Sequence, residues 1–304
     1  MTRLLKVAAD MGEVPPIVGA GDGPAAAGDL RIGSILVELG KLKSSQVDSV
    51  LIQQAANPRR FGDLAIAMGL LAQADLDLAL MRQQAFTVEP VRRGNPDRHV
   101  LDLLSDDSEQ AEVLRTVRSQ LVLRWFGNDI EQRTLAIVSP DRRDGRTRVV
   151  SGLGVLLSQL DEPTLLIDAD LRKPALHEVF GLPNEVGLTT ALSQRRMQPS
   201  IQAVDRFENL YVLPSGPAVP NPPELLSKRQ FGLLLEALAH RYAFIIIDTP
   251  PLQDSSEALT TAVRSSGCLL VARKHRSRMA QVQRLAATLT DHSVEVLGAV
   301  INDY

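Results

Sequence analysis

Short apolar runs alternate with amphipathic stretches along the C-terminal part of the chain. Each run is rich in Leu, Ile and Val and is bounded by polar residues, which is typical of a buried strand. The stretches between the runs carry apolar residues at helical spacing. This alternation predicts an α/β fold with a doubly wound, mostly parallel sheet. The predicted strands are Thr134–Ser139, Thr164–Asp168, Asn209–Leu213, Ala243–Asp248, Cys268–Ala272 and Val294–Ile301.

The N-terminal part of the chain has a different pattern. Residues 1–29 are rich in Gly, Ala, Pro and Asp, and we expect a flexible leader there. Residues 30–86 are apolar at helical spacing and predict a small helical domain. Residues 87–104 contain Pro and Arg and are interpreted as a linker. Residues 105–304 form the predicted α/β domain, so we expect two folded domains.

The predicted helical domain contains an internal repeat. Arg31-Ile-Gly33 recurs as Arg60-Phe-Gly62, and Gly40 recurs as Gly69, with a constant offset of 29 residues (60 − 31 = 29, 69 − 40 = 29). A fixed period of this kind predicts two copies of one helix–turn–helix unit. Gly40 and Gly69 end the first helix of each copy and are expected to supply left-handed C-caps.

This repeat resembles the tandem motif at the front of type II secretion and pilus ATPases, which binds cyclic di-GMP in its better-known members. The resemblance implies that Arg31 and Arg60 grip guanine or phosphate, and that Gly33 and Gly62 let the backbone approach the ligand. Arginine suits this role because its planar guanidinium both stacks and pairs bidentately. A helical docking module with solvated arginines fits the same pattern, and both interpretations stay open.

The first predicted strand of the α/β domain leads into a loop that ends in Gly, a basic residue and Thr. The loop runs from Ser139 to Thr147, and a helix is predicted directly after it. In a strand–loop–helix of this kind, backbone N–H groups and the helix N-terminus bind phosphate. The pattern therefore predicts a P-loop nucleotide site. Its candidate binding residues are Arg143, Asp144, Gly145, Arg146 and Thr147.

Carboxylates follow two other predicted strands. Asp168 and Asp170 come after one buried run, and Asp248 comes after another. Because parallel strands end at one edge of a sheet, we expect all three carboxylates to lie beside the phosphate loop and to be catalytic. Asp168 and Asp248, together with the hydroxyl of Thr147, are the candidate magnesium ligands. Taken singly, an aspartate after a strand is also a common helix cap.

Four segments together resemble the cytoplasmic tyrosine autokinases of bacterial exopolysaccharide export. They are Glu112-x-x-Arg115-x-x-Arg118, Leu166–Pro174, Leu213–Leu226 and Ile246–Pro251. The resemblance covers residues 105–304. Within the family, this part of the chain is most similar to the chain-length determinant kinases of the EpsG type. It implies ATP and Mg²⁺ as cofactors and phosphoryl transfer to tyrosine. It also implies a homo-oligomeric ring joined through Glu112, Arg115 and Arg118, and a membrane chain-length determinant protein as activator.

Composition and charge agree with that resemblance. The net charge of −3 does not point to nucleic acid. Cys268 is the only cysteine, which excludes an internal disulfide and fits a reducing compartment. No apolar run approaches the ~18 residues that a membrane helix needs. We therefore expect a cytoplasmic protein that its partner recruits to the inner membrane.

The chain departs from the family pattern at two places. Arg143 stands where relatives have a loop glycine, and Arg146 stands where they have the phosphate-binding lysine. Arg143 is expected to distort or reposition the loop, and Arg146 is expected to keep a positive charge with altered geometry. The family pattern also includes a tyrosine-rich tail, and with three tyrosines in the sequence we expect no large cluster of phosphorylated tyrosines here. Among three tyrosines, Tyr304 is the expected phosphoacceptor.

Three functions fit these observations. The first is an ATP-dependent tyrosine kinase, and the second is a degenerate relative that binds nucleotide weakly and acts as a scaffold or switch. The third is an ATPase of the ParA or MinD type, whose signature lysine stands four residues before the loop's final glycine. Asp141 occupies that position and argues against the third function.

Overall fold

The computed structural model describes residues 32–57, 59–83, 88–90, 96–102, 109–127, 130–193, 199–254, 256–265 and 267–303. The chain divides into two compact units, with the division after Phe86. The predicted leader, Arg31 and Tyr304 lie outside the described residues.

The helical unit consists of four short helices. They are α1 (Ile32–Glu38), α2 (Ser44–Ala56), α3 (Phe61–Ala67) and α4 (Gln73–Gln83). Helices α3 and α4 begin 29 residues after α1 and α2 (61 − 32 = 29, 73 − 44 = 29). Gly40 and Gly69 follow α1 and α3 with φ of 64° and 69°, the left-handed conformation that lets the chain leave a helix without a Cβ clash. The buried pair Ile35 and Leu36 recurs as Leu64 and Ala65, so both copies contribute equivalent positions to one core.

An eight-stranded sheet forms the centre of the second unit, in the order β1-β4-β5-β3-β6-β2-β7-β8. All neighbouring strands are parallel except β4 and β5. This confirms the predicted α/β fold with a mostly parallel sheet. The strands are β1 (Val88–Pro90), β2 (Thr134–Val138), β3 (Thr164–Asp168), β4 (Ile201–Ala203), β5 (Leu210–Leu213), β6 (Phe244–Asp248), β7 (Gly267–Arg273) and β8 (Glu295–Asn302).

Nine α-helices of this unit fall within the described residues. They are α5 (Arg98–Leu101), α6 (Glu109–Arg124), α7 (Arg146–Ser158), α8 (Leu176–Phe180), α9 (Leu188–Ser193), α10 (Pro222–Ser227), α11 (Arg229–Ala239), α12 (Glu257–Ser265) and α13 (Met279–Asp291). Helix α7 begins at the end of the phosphate loop and is buried along most of its length. A Cβ on Gly154 would lie 2.6 Å from Leu166 Cδ2, so this glycine lets α7 pack closely on β3. Across the described part of the chain, no helix is both long and apolar enough to cross a bilayer.

Two strands were not expected from the sequence. Val88–Pro90 lies within the predicted linker, yet it pairs with β4, and β4 in turn pairs antiparallel with β5. Helix α5 also lies within that predicted linker. Each of these strands has three residues, which is too short for a period-two pattern to emerge from the sequence. The α/β unit therefore begins before the predicted boundary at residue 105.

Candidate functional site

The phosphate loop connects β2 to α7 through two residues with left-handed backbone conformation. Gly145 has φ of 102° and Arg143 has φ of 64°. A left-handed conformation costs a residue with a Cβ roughly 1–2 kcal/mol. Arg143 therefore adopts a backbone conformation that favours glycine, and the loop carries the strain locally.

Gly145 is required at its position for a second reason. A Cβ there would collide with Nδ2 of Asn302, which donates a hydrogen bond of 3.0 Å to the carbonyl of Asp144. Asn302 ends β8, so the last strand of the sheet supports the phosphate loop. The sequence carries no signal of this contact, because it joins residues 158 positions apart.

Asp144 stabilises the phosphate loop, because both of its carboxylate oxygens accept hydrogen bonds. Oδ2 accepts the backbone N–H of Asp141 at 2.9 Å, and Oδ1 accepts the hydroxyl of Ser277 at 2.9 Å. The side chain is fully buried. The carboxylate therefore holds the loop together, and the role of Asp144 in nucleotide binding stays a prediction.

Arg146 is buried, and its guanidinium donates to backbone around the loop. Nε donates to the carbonyl of Thr249 at 2.7 Å, and Nη1 donates to the carbonyl of Asp141 at 3.0 Å. Nη1 also donates to Oγ of Ser139. The sequence predicts a cation facing phosphate, whereas here the cation ties the loop to the segment that follows β6.

Thr147 and Asp248 meet at the end of the loop. Oγ1 of Thr147 donates to Oδ2 of Asp248 at 2.6 Å. Oδ1 of Asp248 is buried without a hydrogen-bond partner, and it lies 4.0 Å from Nε of Arg146. Burial raises the pKa of Asp248 to about 6, although Arg146 and Thr147 act in the opposite direction. A buried carboxylate oxygen without a partner is the kind of atom that a cation or its bound water completes.

The arrangement of Thr147 and Asp248 suits a magnesium ion that has only a few protein ligands. Mg²⁺ keeps several waters and uses one or two protein oxygens together with nucleotide phosphates. Asp248 and Thr147 can supply those oxygens. In the part of the chain that the structure describes, no group of three or more His, Cys, Asp and Glu side chains could hold a metal ion.

Asp168 is engaged as a helix cap. Its Oδ2 accepts the backbone N–H of Ala175 at 2.9 Å and of Leu176 at 3.0 Å, at the start of α8. Its Oδ1 accepts the N–H of Asp170 at 3.2 Å. Burial raises the pKa of Asp168 well above its usual range, and the neighbouring Asp248 raises it further. The capping alternative describes these hydrogen bonds, and the catalytic and magnesium-binding roles of Asp168 stay predictions.

Asp170 lies at the same edge of the sheet as Asp168, and its carboxylate accepts fewer hydrogen bonds. Oδ1 accepts the N–H of Lys173 at 3.0 Å, and Oδ2 is 3.8 Å from Nη1 of Arg142, beyond hydrogen-bond distance. Burial raises the pKa of Asp170, and the Lys173 N–H and Arg142 oppose that effect. A carboxylate of raised pKa at the edge of an active site is suited to accept a proton.

Arg172 forms an ion pair that the sequence analysis missed. Its Nε donates to Oε1 of Glu257 at 3.0 Å. Glu257 begins α12 and is 1% exposed, whereas the Arg172 side chain is 44% exposed. Arg172 lies within the quoted segment Leu166–Pro174, but no sequence signal marked Glu257 as its partner. The pair links the loop after β3 to α12.

The predicted oligomerisation residues lie on α6. Oε2 of Glu112 is 3.6 Å from Nη1 of Arg115, an i,i+3 pair on the helix surface. Nη1 of Arg118 donates to the carbonyl of Leu156 in α7 at 2.9 Å. Arg118 thus packs within its own chain, and the role of this triplet in a ring stays a prediction.

The repeated glycines of the helical unit serve helix packing. A Cβ on Gly33 would lie 2.9 Å from Cγ1 of Val47, and one on Gly62 would lie 2.5 Å from Cδ1 of Leu76. These equivalent contacts bring α1 against α2 and α3 against α4. Arg60 is exposed at the start of α3. The contacts explain both glycines without a ligand, and cyclic di-GMP binding stays a prediction.

Comparisons with known proteins add independent information. A scan of protein-family descriptions matched none of them to this chain. The tyrosine-protein kinase YwqD of Bacillus subtilis is 32% identical over 212 residues, which cover 69% of this chain and 88% of that protein.

Two solved structures have a fold similar to that of this chain. The kinase domain of the Escherichia coli tyrosine kinase ETK aligns with a TM-score of 0.64 at 29% identity, over 70% of this chain and 82% of that chain. The chimerical protein CapA2B2 aligns with a TM-score of 0.61 at 26% identity, over 74% of this chain and 96% of that chain. The identity and coverage of the sequence match, with this agreement in fold, establish common descent.

Proposed function

The chain belongs to the family of bacterial tyrosine-protein kinases, and from this premise we propose that it transfers the γ-phosphoryl group of Mg-ATP to a tyrosine hydroxyl. The observation that carries the proposal is the contact of Thr147 with Asp248 beside an unpartnered carboxylate oxygen at the end of the phosphate loop. This oxygen, Oδ1 of Asp248, accepts no hydrogen bond and is 4.0 Å from Nε of Arg146, so it can still bind a cation or its water. The arrangement suits a nucleotide-bound magnesium ion.

The reaction requires one bond to form and one to break. The tyrosyl oxygen bonds to the γ-phosphorus, and the bond between that phosphorus and the β–γ bridging oxygen breaks. ADP leaves with the electron pair. Mg²⁺, when bound, supplies charge neutralisation on the β- and γ-phosphate oxygens. The protein's task is to position these groups and to accept one proton.

Asp170 is the proposed proton acceptor, and the phosphate loop is the proposed phosphate site. The raised pKa of Asp170 and its weakly engaged Oδ2 support the first role. The backbone N–H groups at the start of α7 support the second. Thr147 and Asp248 would orient the magnesium ion.

A catalytically weak, nucleotide-binding scaffold of the same machinery is the second candidate. It is favoured by Arg146, whose guanidinium already donates to two backbone carbonyls and to the Ser139 hydroxyl. To reach a phosphate, it must exchange one of these contacts. Ground-state binding of ATP tolerates that exchange. Stabilisation of the transition state depends more strictly on where the positive charge lies relative to the transferred phosphoryl group.

We place either activity in the control of exopolysaccharide chain length at the cytoplasmic face of the inner membrane. We infer a membrane chain-length determinant protein as the activating partner. The similarity to the chimerical protein CapA2B2 supports a partner, because a chimera joins parts of two polypeptides.

Calorimetry with Mg-ATP and a phosphorylation assay on a tyrosine-containing peptide test the proposal. We expect wild type to bind Mg-ATP and Asp248→Asn to bind it at least about tenfold more weakly. Asp170→Asn should keep its affinity and lose about a hundredfold in turnover. Adding the cytoplasmic segment of the partner should raise wild-type turnover. Absence of ATP binding by wild type, or equal affinity in Asp248→Asn, would contradict the proposed site.

A further inference from the structure

A strongly basic turn joins β7 to α13. We call residues 273–278 the basic turn; it contains Arg273, Lys274, Arg276 and Arg278, with His275 between them. All of these except Arg273 are exposed. The whole chain carries a net charge of −3, so the positive charge here is local. Such a concentration of positive charge attracts an anionic partner.

The basic turn is fixed against the phosphate loop. The hydroxyl of Ser277 donates to Oδ1 of Asp144 at 2.9 Å, and the same hydroxyl accepts the backbone N–H of Arg273 at 2.8 Å. Nη1 of Arg273 lies 3.4 Å from the carbonyl of Arg143, at the outer limit of a hydrogen bond. Whatever binds the basic turn is therefore held beside the nucleotide site.

A carboxylate already contacts the basic turn. Nζ of Lys274 is 2.7 Å from Oδ2 of Asp303, which follows the end of β8. This hydrogen bond is the largest cause that lowers the pKa of Asp303. The contact shows that an aspartate on an extended segment can reach the turn and pair with it. The exposed Arg276 and Arg278 lie further along the same turn.

Building on the proposed kinase activity, we propose that the basic turn, together with the exposed Arg143, is the docking site for an acidic protein segment that carries the acceptor tyrosine. Aspartates and glutamates around the tyrosine would pair with the arginines, whose guanidinium groups bind carboxylates bidentately. The tyrosine hydroxyl would then be held near the phosphate loop. The chain's own site would thus select acidic substrates.

The position of the turn favours a peptide over an anionic membrane. The turn and the phosphate loop lie at the same edge of the sheet, and hydrogen bonds join them. A bilayer lying flat on the turn would cover the path of the nucleotide. An extended peptide is narrow enough to pair with the turn while the nucleotide site stays open.

The test uses the full chain and two labelled peptides. The first is Glu-Glu-Asp-Tyr-Glu-Glu with a fluorescein label, and the second replaces every acid by its amide. The variant is Arg276→Gln with Arg278→Gln, and the matched control is Lys228→Gln with Arg229→Gln, two exposed cations that lie outside the turn. Fluorescence anisotropy measures peptide affinity, and calorimetry measures Mg-ATP affinity.

We expect the acidic peptide to bind wild type and the control equally. The turn variant should bind it roughly five- to tenfold more weakly, since two exposed ion pairs are lost. Mg-ATP affinity should stay within about twofold in all three proteins, because neither arginine belongs to the phosphate site. Higher salt should weaken the binding of the acidic peptide to wild type and leave the binding of the amide peptide unchanged.

Several results would overturn the docking site. These are equal binding of both peptides, an equal loss in the control variant, or binding to phosphatidylserine vesicles by wild type without binding of the acidic peptide. Failure of the proposed kinase function gives a different pattern: the acidic peptide binds through the turn, and Mg-ATP does not bind.

Discussion

At the scale of single residues, the phosphate loop is held by contacts from outside it, since Asn302 donates to the carbonyl of Asp144 and Ser277 donates to the carboxylate of Asp144. The position of the loop and its final glycine follow from the pattern of residues 139–147. The sequence also predicts a distorted loop at Arg143, whereas the structure shows that Arg143 adopts the left-handed conformation with φ of 64°. The direction of the Arg146 guanidinium could not be predicted, because its acceptors come from the segment after β6 as well as from the loop.

Glycine at position 143 together with lysine at position 146 should raise turnover more than affinity. Lysine in place of Arg146 is a compact charge that can reach the phosphates, and glycine in place of Arg143 removes the left-handed strain. In Arg143→Gly with Arg146→Lys we expect turnover to rise by about tenfold or more and the Kd for ATP to change by less than about threefold. Single-turnover kinetics and calorimetry measure the two quantities. Arg143→Gly alone is the control, and an unchanged turnover in the double variant refutes this account of the loop.

The pKa of Asp248 predicts a specific pH dependence of stability. The folded value of about 6 lies above the value of about 4 in an unfolded chain. Between these values the folded state binds more protons than the unfolded state, so the contribution of Asp248 to the free energy of unfolding falls as pH rises through the window. Magnesium needs the ionised carboxylate, so Mg-ATP affinity should rise over the same range.

Urea unfolding of wild type and Asp248→Asn at about pH 5, 6 and 7 measures this contribution. The difference in unfolding free energy, wild type minus variant, should fall by on the order of 1–2 kcal/mol from the lowest to the highest pH. Asp303→Asn is the control, since the hydrogen bond from Lys274 lowers the pKa of Asp303, so the contribution of Asp303 should stay constant from about pH 5 to 7 and change only below about pH 4. Parallel pH profiles of wild type and Asp248→Asn would show that the carboxylate titrates normally.

At the scale of elements, the central strands and the edge strand β8 were predictable, whereas β1 and β4 at the other end of the sheet were not. The predicted strands at Thr164–Asp168 and Ala243–Asp248 agree with β3 and β6 to within one residue, because both are buried apolar runs. Strand β4 has three residues and borders the antiparallel part of the sheet, so it leaves little apolar signal. The cap from Asp168 to α8 was not predicted either, since an aspartate that follows a strand can cap a helix or bind a metal ion.

The pair between Arg172 and Glu257 predicts an asymmetric loss of stability. Arg172→Ala leaves the buried Glu257 carboxylate without its cation, which should cost about 2–3 kcal/mol. Glu257→Gln removes the buried charge and leaves Arg172 half-exposed to water, so it should cost about 1 kcal/mol or less. Urea unfolding measures both variants. The double variant should be more stable than Arg172→Ala alone, and additive losses would show that the two side chains act independently.

At the scale of the whole molecule, the chain contains a helical unit built from a sequence repeat and an α/β unit built from alternating strands and helices. The 29-residue repeat explains the helical unit, because each copy supplies a glycine for close helix packing and apolar residues to a common core. The α/β unit has no such repeat. Its site is assembled from strand ends that are far apart in sequence, such as Thr147 and Asp248. Spacing therefore predicts the architecture of the first unit, whereas only the order of strands brings the second unit's site together.

Assembly into an oligomer is a property of the whole molecule, and variants of residues on α6 test it. Glu112 is 75% exposed and pairs with Arg115, so Glu112→Ala should leave the folded chain intact and weaken any subunit contact made through this face. Arg118 donates to the carbonyl of Leu156, so Arg118→Ala should instead lower the melting temperature by a few degrees. Sedimentation velocity and thermal unfolding separate the two effects. We expect Glu112→Ala to shift the distribution toward monomer at unchanged melting temperature. The role of α6 in assembly is refuted if wild type and Glu112→Ala sediment identically over a concentration range in which wild type associates.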